Sequence, residues 1–304
     1  MNSDHNPATV CLFSSVFRFA DIPLSLPQIV MTCCKHQKGN PMIRNCLILL
    51  LVSASSVLAH DTWVETNTNL IRTGDAVYVD LKLGNHGNDH RDFKLASKVG
   101  LQSCTLNVLS PDAKSYDLKT ELFDTGYAPK EGYWTAKFVP AHPGLYMVAH
   151  QLDRVVSYAP VRSIKSAKTF FVVSSSLDRV SMKNPGFDQV LGHSLEIVPV
   201  TSPVTPMGPG QPITVQLIYN GKPMANARIS FIPHGHQLKK DFDPDYERKT
   251  DIDGVATFTP RNGNAYLVVA HHKEPDEAGK NYESTKYSAT LTVLVPEICP
   301  CCGE

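Results

Sequence analysis

Short segments of alternating apolar and polar residues recur from residue 63 to residue 295, with turn sequences between them. In residues 77–83 every second residue is Val or Leu, and this period of two is typical of a strand with one buried face. Asn220-Gly221, between residues 213–219 and 227–232, is a strong β-hairpin turn signal. Many short strands joined by such turns predict an all-β sandwich architecture.

Two groups of these segments are similar to each other. Residues 145–150, Leu-Tyr-Met-Val-Ala-His, match residues 266–271, Tyr-Leu-Val-Val-Ala-His, and residues 74–81 match residues 210–217 in pattern. Chance similarity is the alternative, because all sandwich strands share this periodicity. The match predicts an internal repeat of one sandwich unit.

We therefore expect an all-β chain with two tandem antiparallel β-sandwich domains of the immunoglobulin-like or carboxypeptidase-regulatory-like type. The first domain is expected at residues 60–176 and the second at residues 213–304. Six prolines between residues 177 and 212 predict a Pro-rich linker.

The N-terminal region predicts export. Arg44 is followed by the apolar run 46–52 and then by small residues up to Ala59, so residues 42–59 have the pattern of a signal peptide. The run is shorter than the roughly 20 residues that a membrane-spanning helix needs. Cleavage after Ala59 would make His60 the first residue of a mature protein in the periplasm or cell envelope. Residues 1–41 fit no element and are expected to be a leader or to precede the true start.

Composition and motifs exclude several classes of function. The chain has no net charge at pH 7 and no basic patch, so we expect no nucleic-acid partner. The chain has no second long apolar stretch, so we expect no membrane span after the signal peptide is cleaved. No P-loop, dinucleotide fingerprint, Gly-x-Ser-x-Gly or His-Glu-x-x-His sequence occurs, which favours a non-enzymatic protein. Asp241, Asp243 and Asp245 lie in a charged loop with Lys239 and Lys240, which predicts a solvated hairpin tip.

Histidine and cysteine residues are the candidate metal ligands, since neutral imidazole is the commonest metal ligand and thiolates favour soft ions. An N-terminal His would offer its α-amine and imidazole as a chelate. His271 and His272 are neighbours on a strand and are expected on opposite sheet faces. The alternatives are solvated or structurally hydrogen-bonded histidines and a flexible, oxidised cysteine tail. The candidates are His60, His150, His193, His271 and His272, with Cys299, Cys301 and Cys302 as a possible second site.

Several motifs resemble one family of exported bacterial proteins of unknown function, often labelled the periplasmic component of nickel or cobalt uptake systems. The similar segments are His60-Asp61-x-Trp63, residues 192–199 (Gly-His-Ser-Leu-Glu-Ile-Val-Pro), residues 221–227, Thr250-Asp251-x-Asp253-Gly254 and residues 266–272. The resemblance covers residues 60–295. It implies capture of Ni²⁺ or Co²⁺ for a membrane transporter, with His60, His193, His271 and His272 at the family's histidine positions. The cysteine tail lies outside this pattern and leaves copper or zinc open.

Two other functions stay open at this point. An N-terminal His on a β-sandwich is also one of the two histidines of a copper-binding histidine brace, as in oxidative polysaccharide-cleaving enzymes. A structural or carbohydrate-binding module without metal is the third hypothesis. A row formed by Tyr127, Tyr133 and Trp134 would favour carbohydrate binding.

Overall fold

The computed structural model describes residues 60–84, 101–126, 132–239 and 241–297. These residues belong to one compact unit and are nearly all β, with 51% in strands. Two short 3₁₀ helices, Leu101–Ser103 and Lys119–Glu121, lie among them. No helix in the described ranges is long and apolar enough to cross a membrane.

Seventeen strands are described, and nearly every segment with a period of two forms one of them. The strands are β1 Asp61–Thr66, β2 Leu70–Arg72, β3 Val77–Gly84, β4 Cys104–Leu109, β5 Ser115–Asp117, β6 Phe123–Asp124, β7 Trp134–Phe138, β8 Gly144–Val155, β9 Val161–Ser174, β10 Leu195–Pro199, β11 Ile213–Tyr219, β12 Lys222–Pro223, β13 Arg228–Pro233, β14 Glu247–Lys249, β15 Val255–Phe258, β16 Asn264–Glu274 and β17 Ser284–Val295.

The strands form three sheets. One four-stranded sheet has the order β1-β3-β7-β6, and a second has the order β10-β11-β12 with β15 also on β11. A nine-stranded central sheet has the order β14-β13-β16-β17-β9-β8-β4-β5, with β2 also on β9. Each four-stranded sheet packs on the central sheet through an apolar core, so the predicted all-β sandwich fold is confirmed.

The central sheet is continuous across the two predicted domains. Strands β9 and β17 pair in parallel over nine residue pairs, whereas their other principal neighbours, β8 and β16, are antiparallel to them. Strands β8 and β16 therefore occupy equivalent places on either side of the junction, as the predicted repeat requires. The exact domain boundaries stay a prediction, and the predicted linker contributes strand β10.

A tyrosine near the start of β8 and another near the start of β16 mark the repeat. The Tyr146 hydroxyl donates to the carbonyl of His142 at 2.9 Å, and the Tyr266 hydroxyl donates to the carbonyl of Asn262 at 3.1 Å. Both bonds reach back four residues, which is the tyrosine corner of immunoglobulin-like sandwiches. Tyr146 thus corresponds to Tyr266, and the sequence match that paired Leu145 with Tyr266 is wrong by one residue.

The two faces of the central sheet serve different cores. On β8, Leu145 and Met147 belong to the core shared with the β10-β11 sheet, whereas Tyr146 and Val148 belong to the core shared with the β1-β3 sheet. Alternate residues of one strand point to opposite faces. The two four-stranded sheets therefore cover opposite faces of the central sheet.

Trp63 on β1 belongs to neither of these cores. It is 1% exposed and packs with Leu267 and Val269 of β16 and with the partly buried Ile232 of β13. Strand β1 begins the first predicted domain, whereas β13 and β16 belong to the second. Trp63 therefore connects the two predicted domains by apolar contact.

The prediction of a solvated hairpin tip is wrong at Asp243. This side chain is buried and accepts backbone N–H bonds from Lys239 at 3.2 Å and from Asp245 at 3.1 Å. Its own N–H donates to the carboxylate of Glu247 at 2.7 Å. A run of charges usually indicates a solvated loop, but here the loop folds over Asp243 and its backbone satisfies the carboxylate.

Candidate functional site

The start of β1 brings the candidate His271 into contact with Asp61, the residue that follows the candidate His60. His271, near the end of β16, has its Nε2 atom 3.0 Å and 3.1 Å from the two carboxylate oxygens of Asp61. Asp61 directly follows His60, the predicted mature N-terminus. The side chain of His271 is 56% exposed, whereas that of Asp61 is 13% exposed. A carboxylate therefore orients an accessible imidazole beside the predicted chain start.

Lys165 of β9 completes this cluster from the central sheet. Its side chain is 9% exposed, its ammonium group donates to the backbone carbonyl of His60, and its Nζ lies 4.0 Å from Asp61 Oδ1. Strands β1, β9 and β16 thus each contribute to the group that we call the chain-start cluster: His60, Asp61, Lys165 and His271.

The charges in the chain-start cluster shift each other's pKa values. The charge of the Asp61 carboxylate and its hydrogen bond raise the pKa of His271. Burial disfavours the charged form of Asp61, but His271 and Lys165 together hold the pKa of this carboxyl below its usual range. Burial lowers the pKa of Lys165, and the attraction of Asp61 partly offsets that. Asp61 is therefore a carboxylate at neutral pH, and proton binding to His271 extends to higher pH than for an ordinary His.

His272 lies on the other face of the sheet, as predicted from its position next to His271. Its Nε2 is 2.7 Å from Glu274 Oε1, and its ring centroid is 4.5 Å from that of Tyr219 on β11. His271, by contrast, contacts Asp61 on β1. His272 therefore does not share the chain-start cluster.

His193 belongs to a loop organised around Glu196. The Glu196 carboxylate accepts backbone N–H bonds from Leu191 at 2.7 Å and from Gly192 and His193 at 3.0 Å each. It also forms a buried ion pair with Lys168 of β9. The Gly-His-Ser-Leu-Glu sequence thus builds a structural anchor that joins β10 to the central sheet.

The His193 ring itself is buried. Its Nδ1 atom has no hydrogen-bond partner among the described residues. Burial lowers the pKa of His193 to about 4, although Glu196 acts in the opposite direction. His193 is therefore neutral at pH 7.

His150 is a core residue of β8. It is 1% exposed, and its Nδ1 is 2.7 Å from the carbonyl oxygen of Thr105. Burial lowers its pKa to about 4. The Thr105 contact gives one ring nitrogen a hydrogen-bond partner within the sheet. A structurally hydrogen-bonded histidine was the alternative to metal binding that the sequence left open for His150.

The depressed pKa of His150 predicts acid destabilisation. The folded-state pKa lies below the unfolded value of about 6.5, so this contribution to stability is complete above pH 6.5 and is lost as pH falls toward 4. The loss amounts to at most about 3 kcal/mol at 1.36 kcal/mol per pKa unit. Urea unfolding between pH 4 and 7 measures it. A His150→Gln variant is expected to lose part of this pH dependence, and an unchanged pH profile would contradict the assignment.

The structure does not bring the five predicted histidines into one metal centre. Among the described residues, no group of three or more His, Cys, Asp or Glu side chains is arranged to hold a metal ion. Asp61 and His271 form a hydrogen-bonded pair, and His60 precedes Asp61 in the chain. Cys299, Cys301 and Cys302 lie outside the described residues, so the predicted second site stays a prediction.

The aromatic residues that would favour carbohydrate binding have different surroundings. Trp134 packs against the core under the β1-β3 sheet, whereas the ring of Tyr133 lies under Lys82, whose Nζ is 4.6 Å from the ring centroid. The third candidate, Tyr127, lies outside the described residues. Tyr133 and Trp134 therefore make different contacts, one with Lys82 and the other with the core.

Sequence reasoning missed the charged partners of the candidate histidines. Asp61 and Glu196 lie inside the motifs that were recognised, and their nearness to His60 and His193 was the signal that could have identified them. Lys165 and Lys168 gave no such signal, because lysine on a strand ordinarily indicates a solvated position.

Solved structures with similar strand arrangements have low sequence identity to this chain. The D0-D1 domain of intimin is 14% identical, covers 77% of this chain and 98% of its own, and has a TM-score of 0.21. A DUF4785 family protein from Legionella pneumophila is 13% identical over 68% of this chain and 51% of its own, with a TM-score of 0.26. The ectodomain of mouse nectin-like molecule 4 is 13% identical over 78% of this chain and 65% of its own, with a TM-score of 0.19. No conclusion about a site or an activity rests on these likenesses.

The family comparison covers most of the chain. No functionally curated protein matches it. A model of one protein family matches residues 57–274, which include His60, Asp61, Lys165 and His271. The description of that family names no metal, transporter or reaction. The chain belongs to the family described as domain of unknown function DUF4198.

Proposed function

We propose that this protein binds a divalent transition metal ion at the start of β1 and acts as an exported binding protein, not as an enzyme. His60 and His271 are the imidazole ligands in this proposal, and the α-amine that signal cleavage releases at His60 is a third donor. Asp61 orients His271. The supporting observation is the hydrogen-bonded Asp61–His271 pair directly after the predicted cleavage point.

The chemistry of the pair supports the proposal. A carboxylate bound to one nitrogen of a ligating His fixes the ring and raises its basicity, which strengthens metal binding at the other nitrogen. His271 Nε2 faces Asp61, so Nδ1 is the nitrogen assigned to the metal. The resemblance described above favours nickel or cobalt as the cargo, with a membrane transporter in the cell envelope as the partner.

Replacing His271 is expected to weaken metal binding, whereas replacing its neighbour is not. In the mature protein that begins at His60, His271→Ala should reduce Ni²⁺ or Co²⁺ affinity at least tenfold, about 1.4 kcal/mol, because an imidazole donor is lost. His272→Ala is the matched control, since His272 contacts Glu274 and Tyr219 on the opposite face. Isothermal titration calorimetry with Ni²⁺, Co²⁺, Cu²⁺ and Zn²⁺ measures both. Wild-type binding weaker than about 1 mM for all four ions would contradict the proposal.

Two further measurements use the same protein. One Ala inserted before His60 moves the α-amine away but keeps the imidazole, so affinity should fall if the terminus chelates. Affinity should also fall with decreasing pH, and because the pKa of His271 is raised, the fall should begin above pH 6.5. Selective tight binding of Cu²⁺ that disappears on insertion would favour the copper-brace hypothesis over nickel or cobalt uptake.

A further inference from the structure

We propose that Lys165 is a positioning residue that holds the chain start over the metal site, by binding the carbonyl of His60. This inference rests on the proposed function, because it assigns the group that places the proposed ligand His60.

Lys165 occupies a fixed point of the central sheet. Strand β9 is paired on both sides, and Lys165 lies in register with Leu152 of β8 and Ser288 of β17. Side chains that lie opposite each other in a sheet share a face. Lys165 therefore projects from the same face as the buried Leu152 and Ala167, and its backbone is held by hydrogen bonds to both neighbouring strands.

A buried ammonium group in these surroundings requires acceptors. Taking a charge out of water costs several kcal/mol unless partners compensate for the lost hydration. The acceptors come from the chain start: the carbonyl oxygen of His60 accepts a hydrogen bond, and the carboxylate of Asp61 is 4.0 Å away. Lys165 and the first two residues of the mature protein therefore stabilise each other's positions.

This contact determines where the ligands of His60 lie. With its carbonyl bound to Lys165, His60 has less freedom to rotate about its backbone, so its amine and imidazole sample fewer positions. Restricting a ligand in its binding geometry improves affinity by reducing the entropy lost on binding. The positive charge of Lys165 opposes a bound cation, and we expect the gain from positioning to be larger than this repulsion.

Lys165→Met is the direct test, with hydrogen exchange of metal-free mature protein and Ni²⁺ calorimetry as the two measurements. We expect amides of residues 61–66 to exchange about tenfold faster, because β1 loses an anchor. Ni²⁺ affinity should fall about tenfold. Lys165→Arg keeps a charged hydrogen-bond donor, so its exchange rates in residues 61–66 and its Ni²⁺ affinity should be closer to wild type.

Lys286→Met is the matched control for charge. Lys286 lies near enough that its positive charge lowers the pKa of Lys165. The hydrogen bond to the His60 carbonyl, however, comes from Lys165. This control should leave exchange in residues 61–66 unchanged. Should Lys165→Met fail to fold, Lys165→Leu, which also removes the donor, replaces it with the same expected results.

The outcomes separate this inference from the proposed function. Unchanged exchange in residues 61–66 of a folded Lys165→Met or Lys165→Leu protein would overturn the positioning role, and so would unchanged or tighter Ni²⁺ binding. If wild-type protein binds no metal, the proposed function fails, and the exchange measurement alone still decides whether Lys165 holds the chain start.

Discussion

Removing either charge of the buried Lys168–Glu196 pair is expected to lower the free energy of unfolding by about 3–5 kcal/mol. The two side chains are 2% and 1% exposed. Lys168→Met leaves the Glu196 carboxylate in the protein interior without its counter-charge, and Glu196→Leu leaves both the ammonium group and three backbone N–H groups without their acceptor. Urea unfolding followed by circular dichroism measures the loss.

The double variant and a surface pair test the physical cause. Lys168→Met with Glu196→Leu should lose less than the sum of the single losses, because neither charge is then left alone. Lys114→Met is the matched control. Lys114 pairs with Asp112 at 2.8 Å, but their side chains are 63% and 40% exposed, so a much smaller loss of stability is expected. Equal losses for Lys168→Met and Lys114→Met would contradict the assignment of a buried anchor.

Trp63→Ala is the second substitution with a large expected effect. It should lower the free energy of unfolding by about 3–5 kcal/mol. Trp63 is 1% exposed and fills the contact between β1 and strands β13 and β16, so its removal leaves a cavity lined by Leu267, Val269 and Ile232. The tryptophan ring also donates from Nε1 to Glu65 at 2.7 Å, and that bond is lost with it.

The effect of Trp63→Ala should also be local. Because Trp63 joins β1 to the second predicted domain, hydrogen exchange in β1 and β16 should increase more than in β4. Tyr158→Ala is the control for loss of an aromatic ring, since Tyr158 is 76% exposed and should change stability by less than about 0.5 kcal/mol. If Trp63→Ala lowers the free energy of unfolding by less than about 1 kcal/mol, the contact of Trp63 with β13 and β16 contributes little to stability.

Local periodicity was sufficient to predict most strands. Residues 213–219 alternate between apolar and polar side chains and form β11, because a strand with one buried face needs that alternation. Periodicity is less informative for β9, since the apolar run 169–173 marks only its second half and the strand begins at Val161. Lys165 and Lys168 interrupt the apolar pattern of this segment, although both side chains are buried.

The sequence also predicted part of the candidate site. The signal-peptide pattern drew attention to His60, and the period of two correctly placed His271 and His272 on opposite faces. It also suggested that His150 and His271 occupy equivalent positions, which the tyrosine corners correct by one residue. An apolar pattern allows such a shift, because neighbouring positions of a fully buried strand are apolar on both faces.

By itself, the sequence determined most strands, the all-β class, the repeat pattern and the histidine candidates, since each of these depends on residues close together in the chain. Only the tertiary structure decided which charges meet. Asp61 contacts His271 across 210 positions of sequence, and Lys165 reaches His60 across 105. The parallel pairing of β9 with β17 and the packing of β1 on the central sheet bring these groups together, and no local pattern specifies either contact.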